Sequence, residues 1–262
     1  MTSPKSTASA LGLFRYGGGE PGAALFSRFF TVTESLFAAL GIRPTYIGLD
    51  GDGYPADFTK FGGRGHKKAL KQEFAGVRSV SVAATPEGSD EPMFDSFALV
   101  SLTFVPATDE LLLSLEVNEA WLPFDGEAYR ATVQQFVALV PWSFGFGFSD
   151  QSSRQPGFHI QSLDPGNLSP EDRTRLRTWY AAPPEARLRR PRDVYALNLL
   201  GTRQLDEATA GGQPLRSLIA SIGVGETNPV PGTDLLAWAV PDAAAREGAR
   251  KQLVDAGALA GQ

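Results

Sequence analysis

Two alternating apolar segments in the middle of the chain limit its fold more than any other feature. Residues 97–105 and 111–117 both have the period of two that is typical of β-strands, and the five residues between them suit a hairpin turn. In the second segment, one face is apolar and the other carries Ser114, Glu116 and Asn118. This pattern predicts antiparallel strands with one buried face and one face in water.

Similar reasoning assigns the other elements. We expect helices over residues 23–40, 66–74, 127–140, 169–180 and 243–256. We expect further strands over residues 11–16, 45–49, 77–84, 142–148, 215–222 and 235–240. In the segment 142–148, phenylalanine alternates with glycine, which predicts a core stripe on one face and a close approach of another element on the other.

The order of these elements lacks the regular alternation of a doubly wound parallel sheet. It predicts an α+β fold in which an antiparallel sheet has helices packed on one side. We expect a disordered N-terminus over residues 1–10 and a single domain over 11–262. Each half of that domain begins with an amphipathic helix and a strand, so two similar halves, 11–122 and 123–262, are compatible with the order.

Composition excludes several classes of function. The 262 residues include no cysteine, which rules out disulfides, thiolate zinc sites and cysteine nucleophiles. A net charge of −5 argues against a nucleic-acid binder. The absence of a signal-peptide pattern or of about 18 consecutive apolar residues predicts a cytoplasmic protein without a membrane partner.

The acidic charge is concentrated in one window. Residues 79–129 contain ten acidic residues and no Lys or Arg. Such one-sided charge favours an acidic face that meets a basic protein partner. The charges that we assign to partner binding are Asp90, Glu91, Asp95, Asp109 and Glu110.

Two carboxylates after an apolar strand suggest an alternative. Asp50 and Asp52 resemble the catalytic pair of haloacid-dehalogenase phosphatases, in which one Asp attacks phosphorus and the other handles the leaving-group proton. That family has Thr or Val where this chain has Gly53, and a calcium loop starting at Asp50 would need Glu where Phe61 stands. The Asp-Gly-Asp-Gly sequence is also typical of a plain turn. A metal-dependent phosphatase-like hydrolase remains the enzymatic alternative.

The glycine-rich loop 62–68 and the two histidines add little chemistry. The loop, which ends in His66, Lys67 and Lys68, could cradle an anion at a helix N-terminus or simply cap that helix. His66 and His159 lie far apart, and neither has a second ligand at metal-binding spacing. We therefore expect each histidine to be a surface residue or a hydrogen-bonded polar residue.

An arginine-rich stretch over residues 173–192 surrounds Trp179 and Tyr180. Arginine beside aromatic residues can bind single-stranded nucleic acid. We favour instead an intramolecular or self-association partner for the acidic window, so a homo-oligomeric structural module is a second alternative.

Residues 192–201, which read R-D-V-Y-A-L-N-L-L-G, resemble a segment near the C-terminus of bacterial type VI secretion immunity proteins. The residues after it, 202–240, and the earlier region 127–148 are similar to that family in layout. An alanine-rich helical tail replaces the aromatic, glycine-rich ending that the family often has. The resemblance implies a protein that neutralises a cognate toxin by binding it, with no catalytic residues, no cofactor and no metal. We therefore predict an immunity-type binding protein that is not an enzyme.

Overall fold

The computed structural model describes residues 6–161 and 170–260, and it places ten strands in those residues. The strands are β1 (Thr7–Tyr16), β2 (Tyr46–Gly51), β3 (Tyr54–Lys60), β4 (Val77–Ala84), β5 (Ala98–Val105), β6 (Glu110–Asn118), β7 (Phe144–Gln151), β8 (Leu197–Leu200), β9 (Glu226–Pro229) and β10 (Leu236–Ala239). The α-helices are α1 (Ala23–Ala39), α2 (Arg64–Lys71), α3 (Glu127–Val137), α4 (Pro156–Ile160), α5 (Pro170–Ala181), α6 (Pro184–Arg189), α7 (Thr202–Asp206), α8 (Leu215–Ile222) and α9 (Ala243–Asp255).

All ten strands belong to one sheet with the order β3-β2-β4-β5-β6-β1-β7-β8-β10-β9, and every neighbouring pair is antiparallel. The predicted hairpin is β5–β6, in which Val105 lies opposite Glu110. The α+β class and the antiparallel sheet are confirmed. The sheet continues from β6 through β1 to β7, so strands from both of the predicted halves are hydrogen-bonded to each other.

Strand β1 begins four residues earlier than we predicted. Ala8, Ser9 and Ala10 are buried and pair with both β6 and β7, so the predicted disorder of residues 1–10 is wrong for 7–10. Residues 7–10 have small side chains, so the sequence shows no alternation of apolar and polar residues there. Small side chains nevertheless suit a strand that lies between two others. Residues 1–5 lie outside the described residues.

Helices cover both faces of the sheet, which differs from the predicted arrangement on one side. The face that carries Leu11 and Leu13 belongs to the large core that includes residues of α1 and α3. On the opposite face, Gly12 leaves room for Ile160 of α4, and Phe14 joins a smaller cluster with Trp179 of α5. The face of β6 that we expected to be in water is therefore covered by α4.

The phenylalanine–glycine strand behaves as its pattern predicts. Phe144 and Phe146 are buried and stack on Phe14 with ring centroids 5.0 and 5.5 Å away. On the other face, a Cβ on Gly147 would overlap the hydroxyl of Tyr129 from α3. The absent side chain thus allows α3 to lie close to the sheet.

Two assignments near the C-terminus need correction. Residues 215–222, predicted as a strand, form helix α8, in which Leu215 and Ile219 are buried four residues apart. Gly223 ends this helix with φ 64°, a value that suits glycine. Strand β9 has four exposed residues and no apolar alternation, so the sequence did not reveal it. The predicted helix 169–180 corresponds to α5, and residue 169 lies outside the described residues.

Candidate protein-binding surface

Two loops meet at one end of the sheet. Residues 85–97 connect β4 to β5, and residues 119–126 connect β6 to α3. They are neighbours because the start of β5 pairs with the end of β6, and the amide of Asn118 donates to the carbonyl oxygen of Phe97 over 2.8 Å. We call this surface the acidic–aromatic end. Its residues are Asp90, Glu91, Met93, Phe94, Asp95, Glu119, Trp121 and Asp125.

Large apolar side chains are exposed on this surface. Among the described residues, five large apolar side chains are exposed, and Met93 (39%), Phe94 (56%) and Trp121 (40%) are three of them. Phe94 is held edge-on against Phe158 of α4, with ring centroids 5.5 Å apart. The Trp121 ring stacks on Phe97 at 4.6 Å. Both aromatic rings are thus positioned by neighbours while one side remains accessible.

The loop that carries the acids is ordered by hydrogen bonds within the loop and by one from strand β2. The amides of Phe94 and Asp95 both donate to the carbonyl oxygen of Glu91, over 3.0 and 2.9 Å. The hydroxyl of Ser89 donates to the Asp95 carboxylate over 2.8 Å, and the Tyr46 hydroxyl donates to the Ser89 carbonyl oxygen over 2.8 Å. A loop fixed in this way loses less conformational entropy when it binds a partner.

The five acids that we assigned to partner binding do not form one surface. Asp90, Glu91 and Asp95 are exposed and lie together at the acidic–aromatic end. Asp109 and Glu110 lie at the β5–β6 turn, at the other end of an eight-residue strand, which puts them roughly 25 Å away at the usual rise per residue. The window is contiguous in sequence, but the hairpin divides it between two ends of the sheet.

Glu110 is an interior residue, which corrects its assignment as a binding charge. It is 5% exposed, and its Oε2 lies 3.3 Å from Nη1 of Arg187. Burial raises the pKa of Glu110, and the Arg187 guanidinium opposes that shift. Asp109 is partly buried, and its Oδ2 accepts a hydrogen bond from the Gly19 amide over 3.3 Å. Both residues therefore serve the internal structure of the turn.

The sequence did not single out Met93, Phe94 or Trp121. No periodic pattern surrounds them, and an apolar residue in a loop is usually buried beneath it. The available signal is that Met93 and Phe94 stand between the acids of an aperiodic, Pro- and Asp-containing segment.

Asp50 and Asp52 lie at the turn of the β2–β3 hairpin. Asp52 pairs with Arg78 over 3.1 Å, and its carboxylate is 80% exposed. Gly51 and Gly53 both have positive φ, as a glycine-rich turn requires. No group of three His, Cys, Asp or Glu side chains that could hold a metal ion occurs in the described part of the chain. These contacts favour the turn interpretation of the Asp-Gly-Asp-Gly sequence.

The glycine-rich loop 62–68 uses two of its amides internally. Gly62 N–H donates to Nδ1 of His66 over 2.9 Å, and Gly63 N–H donates to the Lys60 carbonyl oxygen over 2.8 Å. Lys68 donates to the carbonyl oxygen of Gly53 over 2.7 Å. Because these groups already have partners, the contacts favour the capping interpretation over the anion cradle.

His159 connects α4 to the segment before β8. Its Nε2 lies 3.3 Å from the Tyr195 hydroxyl and 3.1 Å from Nη2 of Arg192. Burial, together with the Arg192 charge, lowers the pKa of His159, so the imidazole is neutral at physiological pH. It is a hydrogen-bonded interior residue.

Several arginines of the 173–192 stretch form intramolecular ion pairs. Arg187 reaches Glu110 inside the acidic window, whereas Arg175 pairs with Asp193 and Arg189 with Glu207, both outside it. The outer strands β3 and β9 contain prolines and charged residues, which limit edge-to-edge pairing between copies.

Comparison with known proteins identifies the fold. No family model matches the chain, and no curated protein sequence matches it. Among solved structures, the chain is similar to the Pseudomonas aeruginosa type VI secretion system (T6SS) protein PA0821, with a TM-score of 0.59 and 10% sequence identity. The match covers 96% of this chain and 73% of that protein. Within the described residues, no helix combines the length and apolar character needed to cross a bilayer.

Proposed function

We propose that this chain is an immunity-type protein that neutralises a cognate bacterial effector by binding it through the acidic–aromatic end. In this proposal it is not an enzyme, and it acts in the cytoplasm on an effector with a basic surface. The observation that carries the proposal is the exposure of Met93, Phe94 and Trp121 on two neighbouring loops at the end of the sheet that also carries Asp90, Glu91 and Asp95.

Exposed aromatic and methionine side chains support protein binding because apolar patches on a protein surface usually mark interaction sites. Aromatic residues and methionine are enriched at interfaces, and tryptophan often contributes much of the binding energy. Here Trp121 and Phe94 are each supported by a neighbouring ring, so their geometry is set before the partner arrives.

The surrounding acids support a basic partner. Asp90, Glu91 and Asp95 belong to a sequence window without Lys or Arg. A field of one sign speeds encounter with a partner of opposite sign and disfavours other partners.

Two further observations support the type VI setting. The segment 192–201 resembles immunity proteins of that system, and the structural neighbour PA0821 is itself a T6SS protein. The neighbour shares the fold at 10% identity, so the role is a proposal for this chain.

The proposal is tested with the effector encoded beside the gene for this chain. A bacterial host expresses that effector together with the full chain, and growth and direct binding are measured. The variants are the wild type, Phe94→Ala/Trp121→Ala and, as a matched control, Leu70→Ala, which removes an exposed apolar side chain from α2.

We expect rescue by the wild type and by Leu70→Ala. The double variant should stay folded but lose at least about thirtyfold in affinity, as truncation of a strong interface residue costs about 2 kcal/mol or more. A wild-type chain that neither binds the effector nor restores growth would contradict the function. Full rescue by the double variant would contradict binding through the acidic–aromatic end.

A further inference from the structure

A cleft of about 480 Å³ lies where the pairing between β7 and β8 ends. Strand β7 pairs with β8 only over Gly145–Gly147, and beyond Gly147 it pairs with β1 alone. The space beside the unpaired edge of β7 is enclosed by the loop 119–126, the segment 194–196, and Pro241, Arg246 and Arg250 in and just before α9. The cleft therefore follows from the early end of one strand pairing.

Aromatic rings form part of the lining. Phe124, Phe148 and Tyr195 all line the cleft, and the rings of Phe148 and Tyr195 have centroids 5.5 Å apart. The Tyr195 ring also stacks on Phe146 with ring centroids 4.2 Å apart, and this contact holds Tyr195 in position. Such rings offer π-faces that attract a cation.

One wall is acidic. Glu119 and Asp125 line the cleft, and neither carboxylate takes part in an ion pair among the described residues. Glu119 accepts hydrogen bonds from the hydroxyls of Thr7 and Ser9. Arg130 donates to the backbone carbonyl oxygen of Asp125 over 2.8 Å.

The arginines of the opposite wall are already engaged. Arg250 donates to Asp193 over 2.6 Å and also binds Glu247. Arg246 donates to the carbonyl oxygens of Val240 and Pro241. Arg250 is thus neutralised by carboxylates of the protein, whereas the hydrogen bonds of Arg246 to carbonyl oxygens leave its positive charge without an ion-pair partner among the described residues. Because Glu119 and Asp125 supply two unpaired negative charges against this one positive charge, the cleft lining keeps an excess of negative charge.

We infer that the cleft receives an arginine side chain of the protein partner, an inference that rests on the proposed function. Glu119 and Asp125 lie on the same loop as Trp121, so the cleft adjoins the acidic–aromatic end. A guanidinium can lie against aromatic faces and donate in-plane hydrogen bonds to a carboxylate. An ammonium is a more strongly hydrated point charge and uses such a site less well.

The test uses N-acetyl-arginine amide as the probe and the full chain, labelled with ¹⁵N, as the receptor. Amide shifts are followed in the wild type, in Asp125→Asn and in Glu119→Gln/Asp125→Asn. Asp57→Asn, on strand β3 far from the cleft in the sheet order, is the matched control. The corresponding citrulline amide supplies an uncharged probe of nearly the same shape.

We expect saturable shifts around Phe124, Ser149 and Tyr195 with a dissociation constant on the order of 1 mM. The carboxamide variants should weaken this binding at least about fivefold, Asp57→Asn should leave it unchanged, and the citrulline probe should give no saturable shifts. Absence of shifts at the cleft, or equal binding of the citrulline probe, would overturn the inference.

The two proposals fail separately. If the effector binds but the arginine probe does not, the inference about the cleft is wrong and the proposed function is still supported. If the effector fails to bind in the growth and affinity experiments, the proposed function falls, and the probe still decides whether the cleft accepts a guanidinium.

Discussion

The guanidinium of Arg187 lies 3.3 Å from the carboxylate of Glu110, and both side chains are about 95% enclosed. The same guanidinium donates to the Tyr16 hydroxyl over 3.0 Å and to the carbonyl oxygens of Ala182 and Tyr180. This network joins helix α6 to the β5–β6 hairpin and to the end of β1. Glu110, one of the ten acidic residues of the window, therefore forms an interior ion pair and does not contribute to the protein surface.

Removing Arg187 should destabilise the fold strongly. In Arg187→Met, Glu110 would remain buried without its cation, and loss of one partner of a buried pair costs about 3–5 kcal/mol. The free energy of unfolding in urea measures this loss.

The control is Arg203→Met, which removes the exposed ion pairs of Arg203 with Glu185 and Glu207. Exposed pairs contribute about 1 kcal/mol or less, so the control should change stability little. Equal losses in the two variants would contradict the interior role of Arg187.

Glu116 should give the stability a specific pH dependence. Its Oε2 accepts a hydrogen bond from the Gly157 amide over 2.7 Å, and burial raises the pKa of Glu116 to about 7. Between the ordinary pKa of the unfolded chain and about pH 7, the folded protein binds more protons at this site. The contribution of Glu116 to the free energy of unfolding therefore falls as pH rises through this range.

In Glu116→Gln this contribution is absent. The stability of the variant relative to the wild type should increase by about 1–2 kcal/mol between pH 5 and pH 8, a value reduced for partial solvent access. Urea unfolding at several pH values gives the difference, with Glu226→Gln on the exposed strand β9 as a control for loss of a charge. A constant difference across the range would show that Glu116 ionises normally in the fold.

Two glycines should respond to alanine in opposite directions. A Cβ on Gly147 would displace the Tyr129 hydroxyl, which donates to the Ala10 carbonyl oxygen over 2.8 Å, so Gly147→Ala should cost about 1–3 kcal/mol. Gly248 lies inside helix α9 with open space around it, so Gly248→Ala should stabilise by about 0.5–1 kcal/mol. Thermal unfolding measures both variants, and a neutral Gly147→Ala would mean that α3 is not packed closely on β7.

Local patterns predicted the parts of the fold that local sequence controls. Alternation located β5, β6 and the phenylalanine stripe of β7, and turn composition located the β2–β3 turn. The short apolar run 215–222 could form either a strand or a helix, and its periodicity does not decide between them on so few residues. Pairing of residues 7–10 with two distant strands also has no local signal.

The candidate surface could be predicted from the sequence only in part, because its residues come together through contacts that are distant in sequence. The absence of cations marked Asp90, Glu91 and Asp95, which do lie together on the surface. Glu110 belongs to the same window, but its partner Arg187 is 77 residues away in sequence. Only the structure shows which acidic residues of the window are exposed and which are buried.

The most direct test of the central claim is the association rate constant of the effector with a charge-reversed surface. The variant Asp90→Lys/Glu91→Lys/Asp95→Lys is compared with Asp50→Lys/Asp57→Lys/Glu226→Lys, which changes the net charge equally at exposed sites elsewhere. Stopped-flow measurements at low and high salt should show at least about a tenfold slower association and a flatter salt dependence for the first variant alone. Equal rates for the two variants would contradict binding through the acidic–aromatic end.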